Sequence, residues 1–164
     1  GCSNGMGFSP DLKTMYYTDA MAREIYAYDF NLENSQLSNR RLFKKIDSNL
    51  GVPDGMTVDA DGYVWSANWF GSCIIRFDPE GKEERRIQTP ALQTSSVMFG
   101  GDDLDELYFT SADFLCEPGT ELDPVGYDWD EYRRSYRGGG LFRIRGIGVQ
   151  GKKEYKANFN WSQK

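Results

Sequence analysis

The chain has 164 residues, enough for one ordinary domain with a real core, and carries 19 basic against 25 acidic side chains for a net charge of -6. An acidic balance without a long Lys/Arg cluster excludes nucleic acid as an expected partner, and the short run RRLFKK at 40–45 reads as a solvated strand face. There is no histidine, so His metal ligands and Ser-His or Cys-His pairs are excluded; carboxylates, amides, hydroxyls or a hard metal must carry any chemistry.

From the N-terminus, the segment NGMGFSPDLKTMYYTD at 4–19 predicts a hairpin of two strands. A third strand, EIYAYDF, follows at 24–30, and a polar fourth at 38–46. The order then recurs. DGMTVDADGYVWSAN at 54–68 is the second hairpin, with CIIRFDP at 73–79 and a polar strand at 83–89 behind it. SSVMFGGDDLDELYFTS at 95–111 is the third hairpin, followed by GLFRIRG at 140–146 and a polar strand at 153–159. Across the repeats Asn4, Asp54 and Ser95 share the first position, and Met6, Met56 and Val97 the third. The turn aspartates are Asp11, Asp61 and Asp102.

Apolar residues alternate with period two, and no stretch shows helical periodicity. Each unit therefore predicts a four-stranded antiparallel sheet the size of one propeller blade. The expected fold class is all-β, a β-propeller, with blades at approximately 4–46, 54–90 and 95–161 and an inserted loop at 113–137. Three blades do not close a ring, since propellers have about four to eight.

Hairpin parity places the residues before each first strand at one mouth of the channel. Asn4, Asp54 and Ser95 are expected to converge there, beside the second-to-third-strand loops at 20–24 and 69–72 and the insertion. An amide, a carboxylate and a hydroxyl suit a hard cation such as Ca²⁺ or Mg²⁺. Asp54 is equally a turn residue that bonds its own backbone, and Ser95 reads better that way. Trp69 and Phe70 read as packing or as pocket wall, and Asp19 and Asn68 as caps of the following turns. The insertion is expected over the same mouth, with Tyr127, Trp129, Tyr132 and Tyr136 as lid or partner contact.

Cys2, Cys73 and Cys116 are widely spaced and odd in number, which fits neither a disulfide framework nor a zinc cluster. Reduced thiols imply a cytoplasmic protein. No apolar run approaches ~18 residues and no signal-like start is visible, so no membrane association is expected.

Five ordered blocks, SNGMGFSPDLKTMYYTD, NRRLFKKI, PDGMTVDADGYVWSANW, IIRFDPEGK and FGGDDLDELYFTSA, resemble the senescence-marker protein/gluconolactonase family over nearly the whole chain apart from 113–137. The resemblance implies a six-bladed propeller, of which this chain matches the C-terminal half. It implies one divalent cation in the channel, Ca²⁺ first, with Zn²⁺, Mn²⁺ or Mg²⁺ as alternatives. It also implies hydrolysis of sugar lactones, with related members acting on other lactones or phosphoesters. Of the family's metal ligands, the Asn of the Ser-Asn-Gly block carries over to Asn4 and the Asp of the Pro-Asp-Gly block to Asp54. Asp54 is also the expected proton acceptor in catalysis. The family's N-terminal Glu ligand and the substrate-contacting Arg and Asn of an earlier blade have no counterpart here, so this chain is expected to be incomplete as a catalyst unless missing or partner residues complete the site. The rival readings are a non-enzymatic calcium-binding or interaction propeller, and a truncated fragment without function of its own. Because the outward faces of the first and last blades lack neighbours, a homodimer that completes the ring is expected.

Overall fold

The computed structural model describes residues 1–113, 130 and 138–154. It holds three antiparallel sheets. The first is β1 (Ser3–Phe8), β2 (Thr14–Asp19), β3 (Glu24–Asn31) and β4 (Gln36–Lys45), in that spatial order. The second is β5 (Val52–Val58), β6 (Val64–Trp69), β7 (Cys73–Phe77) and β8 (Glu83–Gln88). The third has three strands among the described residues, β9 (Thr94–Gly100), β10 (Glu106–Ser111) and β11 (Leu141–Ile144). Residues 153 and 154 are not in a strand, and the rest of the expected fourth strand lies outside the described residues. So do Cys116, Tyr127, Trp129, Tyr132 and Tyr136.

The sheets meet through their first strands, with β1 beside β5 and β5 beside β9. Period-two alternation decides how the middle sheet is used. Val64, Cys73, Ile75 and Phe77 point toward the first sheet and pack with Tyr16, Ile25 and Ala27. Trp65, Ala67 and Ile74 point the other way and pack with Val97, Phe99, Leu107 and Phe109. Every residue of β7 is therefore buried. In β3 and β10 the buried positions alternate with partly open ones, because among the described residues only one face of each terminal sheet is covered.

One charge enters this core. Arg76 faces the third sheet, and its Nη2 lies 2.7 Å from Oδ2 of Asp59, whose side chain has no exposed surface. The same carboxylate oxygen accepts the Trp65 indole N–H at 2.9 Å and the Arg76 Nε–H at 2.8 Å. Its other oxygen accepts the backbone N–H groups of Asp61 and Tyr63 at 3.0 and 2.9 Å. The guanidinium lies 3.7 Å from the centroid of Tyr63. Five donors on one carboxylate satisfy a buried charge that would otherwise be costly.

This network revises the reading of the second turn. Asp59, two residues before the expected Asp61, closes it, because a carboxylate at the first turn position reaches the amides two and four residues on. In the first unit Ser9 stands at that position, accepting the Thr14 N–H at 2.9 Å and donating to Asp11 at 2.6 Å.

Removing Asp59 takes from the buried Arg76 its one fully buried counter-charge, leaving the more exposed Asp61 and Glu84, and orphans the Trp65 indole and two turn amides. Asp59→Ala is therefore expected to lose about 3–5 kcal/mol of stability, read by urea denaturation with intrinsic Trp fluorescence. Asp61→Ala removes a carboxylate that is 67 % exposed and 3.3 Å from Arg76, and stability is expected to stay nearly unchanged.

Candidate metal and lactone site

Asn4, Asp54 and Ser95 lie inside first strands rather than just before them. Each sits on a break in register. Ser3 pairs with Asp19 and Met6 with Tyr17, so Asn4 and Gly5 together oppose the single residue Thr18. Pro53 pairs with Asn68 and Met56 with Ser66, so Asp54 and Gly55 oppose Ala67. Thr94 pairs with Ser111 and Ser96 with Thr110, which leaves Ser95 as the extra residue. A bulge of this kind bends the strand and re-aims one side chain out of the alternation. The repeated first position is thus a bulge position in all three sheets.

The glycines of the Asn-Gly and Asp-Gly pairs serve a second purpose. A Cβ on Gly5 would stand 2.5 Å from the Asp54 carbonyl oxygen and 2.6 Å from the Met56 nitrogen. A Cβ on Gly55 would stand 2.4 Å from Ser96 Oγ and 2.7 Å from its Cα. Neighbouring first strands touch backbone to backbone at the bulges, and only glycine leaves room. The Asp-Gly pair is here a packing device.

A cavity of about 220 Å³ opens at this level, lined by Cys2, Asn4, Ala20, Met21, Val52, Asp54 and Trp69. Asn4 and Asp54 come together in its wall, close enough for the Asn4 side chain and the Gly55 backbone N–H to favour the ionised Asp54 carboxylate. Ser95 is not in the wall, and its hydroxyl is 2.9 Å from Thr110 Oγ1 on its own sheet. The two loops placed at the mouth by parity contribute Ala20, Met21 and Trp69. Trp69 is wall. Phe70 is packing, with a left-handed φ of 62° and a buried ring edge-on to Trp69.

Asp19 caps its turn by accepting the Ala22 N–H at 3.2 Å. Asn68 reaches further than a cap, since its amide donates to the Leu50 carbonyl at 3.0 Å and ties the 69–72 loop to the approach to β5. Cys2 was not anticipated as a wall residue. Its signal was its place one residue before the Ser-Asn-Gly block, on the same rim. Cys73 is buried, which pushes its thiol up to about 11 and leaves it inert.

Burial raises the Asp54 carboxyl from the ordinary 3.8 to about 6, against the smaller opposing effect of the Asn4 and Gly55 hydrogen bonds. Among the described residues no side-chain cation influences it. A half-buried carboxylate beside an amide oxygen, uncompensated by Lys or Arg, fits a hard cation. The set is short: among the described residues no group of three or more Cys, Asp or Glu side chains gathers around a metal position.

Repeated antiparallel sheets joined through their first strands, with oxygen donors on the bulges of those strands, describe a protein of the β-propeller class. The chain belongs to the SMP-30/gluconolactonase/LRE-like family, whose model matches residues 1–113. Regucalcin from Xenopus laevis is 39% identical over 150 residues, covering 91% of this chain and 46% of that protein. Pentonolactonase XacC from Haloferax volcanii is 37% identical over 158 residues, covering 96% of this chain and 52% of that one. Among solved structures, a calcium-binding protein, regucalcin, from Agrobacterium tumefaciens superposes with a TM-score of 0.76 at 27% identity, covering 93% of this chain and 48% of the other. The chain thus spans about half the length of the curated relatives it matches.

The raised Asp54 value has a definite sign in stability. Below pH 3.8 both folded and unfolded chains hold the proton and Asp54 costs nothing. As pH rises from there through about 6, the unfolded chain ionises first and folding stability falls. Asp54→Asn is therefore expected to stabilise the cation-free chain by about 1–2 kcal/mol at pH 7.5, after discounting for partial exposure, and to be neutral at pH 3.5. Chemical denaturation in EDTA at the two pH values checks it.

Proposed function

We infer that the chain is half of a six-bladed propeller whose whole is a divalent-cation-dependent hydrolase of sugar lactones. The observation that carries this reading is the Asn4–Asp54 pair on neighbouring bulges at the wall of one cavity, with an uncompensated carboxylate. Similarity to a pentonolactonase and to a calcium-binding protein of known structure supports it.

Asn4 and Asp54 would hold the cation, Ca²⁺ first and Zn²⁺, Mn²⁺ or Mg²⁺ as alternatives. When bound, the cation polarises the lactone carbonyl and lowers the pKa of water. Two protein ligands leave most of the six to eight oxygens around Ca²⁺ to water, substrate or residues outside this chain. One oxygen of Asp54 suffices as a ligand, and the other would accept a proton. Water attacks the carbonyl carbon, its proton passes to Asp54, the ring C–O bond breaks, and the departing alkoxide takes the proton back. Trp69 offers an aromatic wall to the C–H face of a sugar ring. The cavity, about 220 Å³, is below the range of drug-sized pockets and suits a single ring.

A calcium-binding propeller without catalysis is the second reading, favoured by the short ligand set. The two separate in one experiment on the whole six-bladed protein. Aldonolactones are supplied with Ca²⁺, Zn²⁺, Mn²⁺ or Mg²⁺ in turn, and acid release and cation affinity are both measured. The expected result is cation-dependent hydrolysis, abolished by EDTA and lowered about 100-fold or more in Asp54→Asn. Cation binding without hydrolysis supports the second reading. Hydrolysis that survives both EDTA and Asp54→Asn removes both.

A further inference from the structure

The cavity beside Asn4 and Asp54 lies between two sheets that the chain itself supplies. Cys2, Asn4, Ala20 and Met21 belong to the first sheet and its loop, and Val52, Asp54 and Trp69 to the second. Apart from Asn4 and Asp54, this lining is mainly apolar. Ala20 and Val52 are buried and Met21 is 43 % exposed, so the apolar wall runs from the core out to the mouth. Cys2 adds a thiol, which is a weak donor, and Trp69 a single indole N–H; neither is a strong acceptor.

The polar side chains next to this wall in the sequence are not part of it and are already occupied. Ser3, between Cys2 and Asn4, shares a hydrogen bond with the Tyr17 hydroxyl at 2.7 Å. Asp19 accepts the Ala22 N–H at 3.2 Å. Arg23 donates to the Ser48 and Gly51 carbonyls at 3.0 and 3.3 Å. Asn68 spends its amide on Leu50 and Ser66. The backbone is committed as well: the Ala20 N–H goes to the Cys2 carbonyl, the Ala20 carbonyl accepts the Arg23 N–H, and Val52 pairs with Trp69 in the β5–β6 ladder. A ring held with its carbonyl toward Asn4 and Asp54 therefore meets few groups on this side that could bond a hydroxyl.

We propose that the Met21–Val52–Trp69 wall is a subsite for an apolar substituent of the substrate, so that a deoxy-sugar lactone bearing an alkyl group is taken ahead of its fully hydroxylated counterpart. The proposal rests on the reading of the Asn4–Asp54 pair as the cation site of a lactone hydrolase. The physical reason is asymmetric. A methyl group against Met21, Val52 and Trp69 takes apolar surface out of water on both sides. A hydroxyl at the same place leaves water and finds no strong acceptor, so its desolvation goes uncompensated.

The test compares, on the whole six-bladed protein, an aldonolactone with its terminal deoxy analogue, in which methyl replaces hydroxymethyl. Each kcat/KM is divided by the rate of the uncatalysed reaction. Affinities of the two matching lactams, which resist hydrolysis, are measured by calorimetry. The expected preference for the methyl compound is about 10-fold to 100-fold in both readouts, the range over which an apolar pocket rejects an added hydroxyl. Met21→Gln, which brings an amide to the wall, is expected to cut that preference about tenfold, whereas Met21→Leu keeps it. Lactam binding that does not favour the methyl compound, or an unchanged preference in Met21→Gln, overturns the proposal. Hydrolysis without the methyl preference removes this inference alone. Tighter binding of the methyl lactam without hydrolysis of either lactone removes the proposed activity alone.

Discussion

The close approach of neighbouring first strands is the constraint on which the site depends. Where Gly5 meets Asp54 and Gly55 meets Ser96, backbone stands against backbone with no space for a methyl group. That contact draws three sheets together at one level and puts the Asn4 amide within reach of the Asp54 carboxylate. Any side chain at either glycine would push two sheets apart at the point where the donors gather. The hydrophobic cores on either side supply most of the cohesion, but they tolerate small shifts. The bulge contact does not.

A second constraint lies at the other end of the same strands. Asp59 collects its turn amides, the Trp65 indole and Arg76 on one carboxylate, and Trp65 packs edge-on to Phe99 of the third sheet at 5.8 Å between centroids. The middle sheet is thus fixed to the third by a satisfied charge at one end and by glycine contact at the other. Between them the packing is mainly apolar. A satisfied charge at one end and a close backbone contact at the other give the sheet stack its register, whereas apolar surfaces alone are permissive about sliding.

The strands were legible because burial on one or both faces writes period two directly into the sequence, as in CIIRF and TMYYTD. The pairing of Asn4 with Asp54 was legible through the repeat and hairpin parity. The bulges were not. A bulge is a mismatch between two strands, and a single strand carries no trace of it except a small residue that also looks like a turn. The Asp-Gly pair was therefore ambiguous until its partner strand was in place. Asp59 was hidden for a related reason: its role depends on Arg76, 17 residues away, entering the same interface. Ser95 has the repeat position of a ligand, yet its hydroxyl is turned to Thr110, a contact that only the third hairpin's register creates.

The bulges also bear on how such a site can change. Because each one lifts a single residue out of the in-and-out pattern of its strand, the residue there is exempt from the demands of the core. Asn, Asp and Ser occupy the three equivalent places while the positions two residues on, Met6, Met56 and Val97, stay apolar. The charge and hardness of the rim can therefore drift independently of the scaffold, one residue at a time. In this architecture chemical specificity is a separable character, inherited apart from the fold that displays it.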